Sequence, residues 1–194
     1  MKTMTTQTVT HVTPDEYLAA ERLLDYRSEY LDGGVYPMTG ASANHSRIVL
    51  NVSTQLNNQL DDRPCDVFPI DMKVRLPGST KFFYPDVVVV CGELRFHDDR
   101  KDIILNPDLV IEVLSPSTEA FDRGAKFKAY QTIESLKEYV LVSQDKPLVE
   151  QFVRNGDGKW TYIAAEGLES SIALPSIECT LSLSAVYDKV DFNS

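Results

Sequence analysis

The sequence predicts one mixed α/β domain spanning residues 1–194, with residues 1–11 as a loose N-terminal arm. Two nearly continuous apolar runs, at residues 85–91 and 107–114, are typical of central strands covered on both faces. Before them, apolar residues recur at intervals of four and indicate an amphipathic helix over residues 41–60. The chain shows no internal repeat or linker, and its length suits one compact core.

The remaining elements follow from local signals. Thr13, Pro14 and Glu16 form a capping box with proline at the first helical position, which predicts a helix from there to about Leu24. Asp32-Gly33 between β-forming residues predicts a tight hairpin over residues 29–36. Further strands are predicted over residues 67–76, 138–143, 148–154 and 160–164. Further helices are predicted from the Ser115–Thr118 cap to about Ile133, and over residues 182–190.

Composition limits the function classes. The hydrophobic fraction of 43% is ordinary for a globular protein, and no apolar run approaches the roughly 20 residues of a membrane span. The polar N-terminus shows no signal peptide. The net charge of −10 disfavours a protein that only coats nucleic acid, although a basic groove can exist on an acidic body. The basic residues available for such a groove are scattered: Lys73, Arg75, Lys81, Arg95, Arg100, Lys101 and Arg123.

The cysteines indicate a reducing compartment. Cys65, Cys91 and Cys179 are odd in number, widely spaced and contain no Cys-x-x-Cys pair. This pattern indicates neither a disulfide framework nor a cysteine zinc site. We therefore expect reduced thiols and a cytoplasmic location.

Two acids within apolar strands are the most informative residues. Strand alternation places Glu112 on the same face as Val110 and Leu114, with the opposite face also apolar, and Asp86 stands at the start of a run of valines. An unpaired buried carboxylate costs on the order of several kcal/mol, so a metal, a cation or protonation must offset it. The alternative for Asp86 is a strand-end acid bonded to a neighbouring loop. Two such acids together favour a functional site.

Lys126 is the candidate cation. It lies on the helix that follows Glu112, four residues after Asp122 and four before Tyr130, so the three share a face. The first turns of that helix must pack near the end of the strand, where α/β sheets place ligands. Lys128 points about 200° around the helix, so only one of the two lysines can face the site. The alternative is a solvated Asp122–Lys126 pair.

Other residues carry weaker signals. Glu29, taken alone, is an exposed acid. His45 lies at the edge of the apolar stripe of its helix, where a histidine is more often a structural residue than a ligand. The sequence has no His-x-x-x-His, Gly-x-Ser-x-Gly, Walker or Gly-x-Gly-x-x-Gly motif, so zinc-protease, esterase and nucleotide-binding classes lack their signatures.

The order of these residues resembles the Uma family of putative restriction endonucleases, a PD-(D/E)XK nuclease-like group. The resemblance covers nearly the whole chain and depends on the combination of its motifs. These are Thr13-x-x-Glu16-Tyr17-Leu18, Glu29-Tyr30-Leu31-Asp32-Gly33, Val35-Tyr36, His45-Ser46, Tyr84-Pro85-Asp86-Val87, Pro107 to Ser115, Asp122-Arg123, Lys126, Tyr130 and Glu138-Tyr139.

The resemblance implies a PD-(D/E)XK core, in which a mixed β-sheet flanked by helices presents the catalytic residues Glu29, Asp86, Glu112 and Lys126. Asp86 corresponds to the central Asp, Glu112 to the acid of the (D/E)XK element and Glu29 to a helper acid. The sequence departs from the strict motif at Leu114, where lysine is expected. The resemblance implies that Lys126 replaces it from the following helix.

The implied activity is endonucleolytic hydrolysis of nucleic acid, with DNA as the expected substrate. Asp86, Glu112 and the backbone carbonyl of Val113 would bind Mg²⁺ or Mn²⁺, which activates a water and polarises the phosphate. Lys126 would orient that water or stabilise the transition state, and Glu29 would assist. A homodimer is also expected, from the family and from β-rich edges. Two alternatives stay open: an inert binding or regulatory module with a nuclease fold, and a metal-dependent hydrolase of another phosphoester.

Overall fold

A computed structural model describes residues 11–38, 40–78 and 80–192 of the chain, so the predicted N-terminal arm lies outside the described residues except for His11. The helices are α1 (Pro14–Glu21), α2 (Ala43–Leu60), α3 (Glu119–Phe121), α4 (Phe127–Tyr130) and α5 (Leu183–Val186). A π-helical segment, Asp122–Lys126, joins α3 to α4.

The strands form a mixed α/β architecture, as the sequence predicts. They are β1 (Ser28–Leu31), β2 (Gly34–Pro37), β3 (Cys65–Pro69), β4 (Lys73–Arg75), β5 (Lys81–Phe83), β6 (Val87–Cys91), β7 (Ile103–Ile104), β8 (Leu109–Leu114), β9 (Glu138–Ser143), β10 (Leu148–Arg154), β11 (Trp160–Glu166), β12 (Ser171–Leu174) and β13 (Cys179–Ser182). The central sheet has the order β11-β10-β9-β8-β6-β3, the N-terminal sheet has the order β2-β1-β5-β4-β7, and β12 pairs with β13.

The central sheet is mixed and covered on both faces. Strand β8 pairs in parallel with β9 and antiparallel with β6. Ile111 and Val113 face the apolar stripe of α2, whereas Val110 and Leu114 contribute to a separate cluster on the other face with Tyr130. Every residue of β8 is buried, which explains the unbroken apolar run in its sequence.

The predicted strand over residues 67–76 is wrong, because the chain changes sheet in the middle of it. β3 belongs to the central sheet and β4 to the N-terminal sheet. Ile70 and Asp71 connect them with φ angles of 39° and 71°, in the left-handed region that β-branched residues rarely adopt. Apolar residues continue to alternate along the sequence where the chain changes sheet, so the sequence pattern does not show that the strand ends there. The Ile70 amide donates to the Asp86 carbonyl at 2.8 Å, which ties this connection to the one between β5 and β6, where the chain returns to the central sheet.

Other elements differ in their boundaries. The capping box at Thr13 and Glu16 is confirmed, but α1 ends at Glu21. The hairpin over residues 29–36 and helix α2 are confirmed. The helix after β8 begins at Glu119, and its N-cap residue Thr118 makes no side-chain capping bond. Strands β5, β7, β12 and β13 were not predicted, because segments of two to four residues carry too little periodicity.

The expectation of reduced cysteines is wrong for two of the three. Cys65 and Cys91 are direct partners in the antiparallel β3–β6 pair and form a disulfide, with their Cα atoms 4.0 Å apart. Their separation of 26 residues in sequence gives no sign of this strand register. Cys179 is a buried free thiol.

None of the helices in the described part of the chain has both the length and the apolar character that a membrane span requires. Helix α2, the long amphipathic one, has a polar face outside and packs its apolar face on the central sheet.

A buried ionic network attaches α1 to the N-terminal sheet. The Lys73 ammonium lies 2.8 Å from Glu21 Oε2, 3.3 Å from Asp102 Oδ2 and 3.0 Å from the Tyr84 hydroxyl. Arg22 binds Asp102 through two nitrogens, at 3.0 and 2.6 Å. Burial alone would raise the pKa of Asp102, but the hydrogen bonds and charges of Arg22 and Lys73 outweigh it and lower the pKa to about 2.

We expect this network to make stability sensitive to acid. Because the pKa of Asp102 is lower in the folded state, its contribution is complete above pH ~4 and is lost as the pH falls towards about 2. Asp102→Asn should lower the free energy of unfolding at pH 7, and the difference from the wild type should shrink at pH 2.5. Urea denaturation at both pH values measures this. A difference that does not shrink with acid would contradict it, and Asp99→Asn, an exposed neighbour, is the control.

Candidate active site

The candidate site lies where the N-terminal and central sheets meet. Glu29 is on β1, Glu112 is on β8, and Asp86 occupies the short connection through which the chain passes from β5 to β6. The Glu29 carboxylate accepts a hydrogen bond from the Tyr84 amide at 3.2 Å, so it points towards this connection. The crossing therefore brings together acids that are far apart in sequence.

Glu112 is buried within its strand, as the alternation pattern predicts. Its side chain is 4% exposed. Its Oε1 atom lies 2.8 Å from the Lys126 ammonium, and the Tyr130 hydroxyl donates to the same oxygen at 3.3 Å. Both partners come from the helical region after β8, so this region supplies the groups that compensate the buried acid.

Lys126 joins three carboxylates. In addition to Glu112, its Nζ atom lies 3.0 Å from Glu29 Oε1 and 3.5 Å from Asp122 Oδ1. Its side chain is 6% exposed, whereas Lys128 is exposed to solvent. The prediction that only one of the two lysines faces the site is confirmed, and it is Lys126. The alternative of a solvated Asp122–Lys126 pair is wrong, because both residues are buried.

The π-helical segment orients these groups. It begins at Asp122 and ends at Lys126, and the Tyr139 hydroxyl donates to the Asp122 carbonyl at 3.0 Å. π-helical turns are rare, and they occur frequently at functional sites because the wider turn changes the directions of the side chains. Here Asp122 and Lys126 both point into the site. Sequence periodicity predicted a regular helix and could not identify this turn.

Asp86 is held by two donors. Its Oδ2 atom accepts a hydrogen bond from the Val113 amide at 2.7 Å and lies 3.2 Å from His45 Nε2. Val113 follows Glu112 directly, so this bond fixes Asp86 beside the strand of Glu112. His45 stands in the first turn of α2, where its amide donates to the N-cap hydroxyl of Ser42 at 3.0 Å. The sequence interpretation of His45 as a structural edge residue missed its contact with Asp86.

The electrostatics reflect burial and crowding. Burial raises the pKa of Glu112 well above its usual range; Lys126 opposes this, and Asp122 adds to it. The pKa of Asp122 is also raised, chiefly by burial. Burial alone would lower the pKa of Lys126, but Glu112 and Glu29 outweigh it and raise the pKa. The pKa of His45 follows the same pattern: burial lowers it, but the hydrogen bond and charge of Asp86 raise it overall.

The site contains more acids than bases. Glu29, Glu112 and Asp122 surround the ammonium of Lys126, and Asp86, close by, contacts His45. This excess of buried carboxylate oxygens suits a hard divalent cation. Within the described ranges, however, no three His, Cys, Asp or Glu side chains are arranged as a ready metal cage. The Glu112 Oε1 atom, moreover, is already in contact with protein groups, the Lys126 ammonium and the Tyr130 hydroxyl.

Asp122, His45 and Tyr130 were not among the residues predicted to be catalytic. A signal was present for Asp122 and Tyr130, since they share the helical face of Lys126. For His45 the signal was only its place at the start of an amphipathic helix. Its proximity to Asp86 depends on the packing of α2 against the central sheet, which the sequence does not encode locally.

We expect removal of the Lys126 charge to destabilise the protein. Lys126→Met keeps the apolar stem but leaves buried carboxylates without their cation, which typically costs about 3–5 kcal/mol of unfolding free energy. Lys128→Met, on the exposed side of the same helix, should change it by less than about 0.5 kcal/mol. Urea denaturation at pH 7 without divalent metal measures both. Equal effects of the two substitutions would show that the ammonium does not compensate the carboxylates.

Comparisons with known proteins place the chain among nuclease-like proteins. A family model described as "Uma2: Putative restriction endonuclease" matches residues 14–185. Two uncharacterised proteins of Synechocystis sp. PCC 6803 are similar over most of their length. The protein sll1609 is 37% identical over 87% of this chain and 96% of its own, and slr1290 is 38% identical over 93% and 94%.

A solved structure shares the fold. It is the crystal structure of a putative nuclease belonging to DUF820 from Anabaena variabilis, with a TM-score of 0.73 and 18% sequence identity. The match covers 91% of this chain and 98% of that one. The expectation of a mixed-sheet, restriction-endonuclease-like fold flanked by helices is thereby confirmed.

Proposed function

Because this chain belongs to the Uma2 family of putative restriction endonucleases, we propose that it is a metal-dependent endonuclease that hydrolyses phosphodiester bonds, with DNA as its substrate. The observation that carries the proposal is the cluster of buried carboxylates around one ammonium. A structural ion pair needs one acid for each base. A surplus of buried acids is costly for folding and is typical of a site that binds a cation or performs acid–base chemistry.

The proposed ligands of Mg²⁺ or Mn²⁺ are Asp86, Glu112 and the backbone carbonyl of Val113. Oxygen ligands of this kind suit both ions. A divalent ion bound there would lower the pKa of a water and polarise the scissile phosphate. The hydrogen bond from the Val113 amide to Asp86 supports this assignment, because it keeps Asp86, which directly precedes β6, in a fixed relation to Glu112 on the neighbouring strand β8.

The lysine has a defined task in this proposal. Lys126 holds Glu112 and Glu29 within 3.0 Å of one ammonium, and it can orient a water or neutralise the charge that develops on the phosphate. Glu29 shares that ammonium and can accept a proton from the water. His45 keeps Asp86 in place through its Nε2 atom. Leu114, at the motif position where lysine is expected, is buried in the apolar cluster and leaves this task to Lys126.

Two alternatives remain as outcomes of the tests below. A nuclease-fold module without activity is favoured by the net charge of −10, which opposes tight binding to a polyanion. A metal-dependent hydrolase of another phosphoester would use the same carboxylates on a smaller substrate.

We also propose a homodimer. The edge strand β11 exposes Tyr162 and Ile163, which a second copy could cover. The cytoplasmic location stays a prediction, and the Cys65–Cys91 disulfide opposes it, because disulfides are rare in a reducing compartment. Thiol titration of the protein isolated under anaerobic conditions measures whether the disulfide is present in the cell.

Metal binding should stabilise the fold. At a Mn²⁺ concentration of 100 times the dissociation constant, the free energy of unfolding should rise by about 2.7 kcal/mol. Asp86→Asn should abolish this gain, whereas Asp66→Asn, which changes an exposed acid of β3, should retain it. Thermal unfolding with increasing Mn²⁺ or Mg²⁺ measures the effect. A gain that persists in Asp86→Asn would place any bound metal elsewhere.

Cleavage is tested with plasmid DNA, single-stranded DNA and RNA in Mg²⁺ or Mn²⁺. Glu112→Gln and Lys126→Met should each lower the rate by about 10²-fold or more, because each removes a group from the charged centre. Asp66→Asn and Lys128→Met should cleave at the wild-type rate. Activity that survives in Glu112→Gln would come from a contaminant or another site. Metal binding without cleavage of any nucleic acid would favour one of the two alternatives.

A further inference from the structure

An exposed tyrosine, Tyr36, lies beside the carboxylate cluster on the edge strand β2. It is the direct partner of Glu29 in the antiparallel pair of β1 and β2. Partners in such a pair point to the same face of the sheet, with Cβ atoms about 4.5–5.5 Å apart. On that face, the Glu29 carboxylate lies 3.0 Å from the Lys126 ammonium. Since β2 stands at the end of its sheet, Tyr36 lies one strand outside the charged centre.

Tyr36 lacks the contacts that most tyrosines of this chain make. Seven tyrosines donate their hydroxyl groups to protein oxygens: Tyr17, Tyr30, Tyr84, Tyr130, Tyr139, Tyr162 and Tyr187. Within residues 11–38, 40–78 and 80–192, the Tyr36 hydroxyl has no such acceptor and the Tyr36 ring packs on no other ring. The residue is 57% exposed. Its ring is therefore accessible to a ligand.

The Tyr36 ring is supported by Gly34, two residues earlier on the same face of β2. A methyl group at residue 34 would come within 2.9 Å of the Tyr36 Cε2 and hydroxyl atoms, so the ring lies close over the glycine. Pro37 follows Tyr36 and has no N–H group to donate. This proline disfavours pairing of β2 with a strand of a second copy. The strand thus presents an aromatic ring to a ligand.

Access to the carboxylate cluster is graded. The side chains of Glu112 and Lys126 are 4% and 6% exposed, whereas those of Glu29 and Asp86 are 12% and 13% exposed. A substrate therefore meets Glu29 and Asp86 before the deeper groups. Because Tyr36 is the cross-strand neighbour of Glu29, a phosphate on this side of the cluster would bring an adjacent nucleobase within reach of the Tyr36 ring.

A ring in this position favours a single strand over a duplex. Aromatic side chains bind the bases of single strands by stacking, which accepts any base because every base has a π face. In a duplex the bases stack on each other, and a protein ring reaches one only after it is flipped out. The net charge of −10 limits the affinity that phosphate contacts can supply, so a contact that does not depend on charge gains importance.

We propose that Tyr36 is a substrate-binding residue whose ring stacks on a nucleobase next to the scissile phosphate, so that the strand entering the site is single-stranded DNA. The inference rests on the proposed function, because it takes the carboxylate cluster as the place of cleavage. It adds the form of the substrate and a residue that binds the base.

The first test is fluorescence anisotropy of the full chain with a labelled oligothymidylate, an abasic strand of the same length and the corresponding duplex, in EDTA and again with Ca²⁺. We expect the oligothymidylate to bind more tightly than the other two. Tyr36→Ala should weaken its binding by about tenfold, the loss expected for one stacked base. The same variant should bind the abasic strand as the wild type does, since that strand has no base to stack.

Two control variants accompany Tyr36→Ala. Tyr36→Phe keeps the ring and should bind as the wild type does. Val35→Ala changes the neighbouring exposed residue, whose side chain points to the opposite face of β2, and it should also bind as the wild type does. Circular dichroism checks that each variant is folded.

The second test locates the contact directly. An oligothymidylate carrying one 5-iododeoxyuridine is crosslinked to the protein by ultraviolet light, and mass spectrometry identifies the modified residue. We expect Tyr36. Where the wild type cleaves single-stranded DNA, Tyr36→Ala should raise KM about tenfold and leave kcat unchanged, because stacking holds the ground state and the transition state equally.

Several results would overturn the assignment of Tyr36. These are equal losses on the abasic strand, equal losses in Val35→Ala, a duplex bound as tightly as the single strand, a crosslink to another residue, and no binding of any strand. A change of oligomeric state in Tyr36→Ala with unchanged DNA binding would assign this face to a second copy instead.

The binding measurements also separate this inference from the proposed function. Binding that depends on Tyr36 without cleavage in Mg²⁺ or Mn²⁺ would support the stacking contact and contradict the endonuclease. Cleavage of single-stranded DNA with the same KM in Tyr36→Ala and the wild type would support the endonuclease and contradict the stacking contact.

Discussion

The centre of this protein depends on the ionic contacts of the Lys126 ammonium. It faces Glu29, Glu112 and Asp122, all largely buried, and without it these carboxylates would lie in a low-dielectric interior with no opposing charge close by. The energetic balance is incomplete even with it, because one cation cannot neutralise several acids. The fold thus keeps a charged cluster that is costly for stability, as is common where residues are arranged for chemistry.

Both the N-terminal sheet and the central sheet contribute acidic residues to that centre. Glu29 comes from the N-terminal sheet and Glu112 from the central sheet, and Asp86 lies on the connection between them. The connection between β3 and β4, at Ile70 and Asp71, also crosses between the sheets, has left-handed backbone and bonds to the Asp86 carbonyl. Left-handed backbone at a non-glycine residue such as Ile70 is strained, and strain of this kind occurs most often at functional sites. Two connections between the sheets are therefore hydrogen-bonded to each other at Asp86.

The lysine of this centre comes from a helical segment and not from a strand. Leu114, on the strand of Glu112, packs in the apolar cluster, while Lys126 enters from the π-helical segment and reaches Glu112. Asp122 and Lys126, four residues apart at the two ends of this segment, face the site together.

The sequence by itself determined the mixed α/β class, helix α2, the hairpin at Asp32-Gly33 and the buried position of Glu112. Each of these features follows from a local signal: the periodicity of apolar residues, the residue types of a turn, or the cost of burying a charge in an apolar strand. Such signals lie within a few neighbouring residues of the sequence. Only the tertiary structure decided the split into two sheets, the π-helical turn, the contact of His45 with Asp86 and the pairing of Cys65 with Cys91. Each of these depends on register or packing between segments far apart in sequence, where no local pattern carries the information.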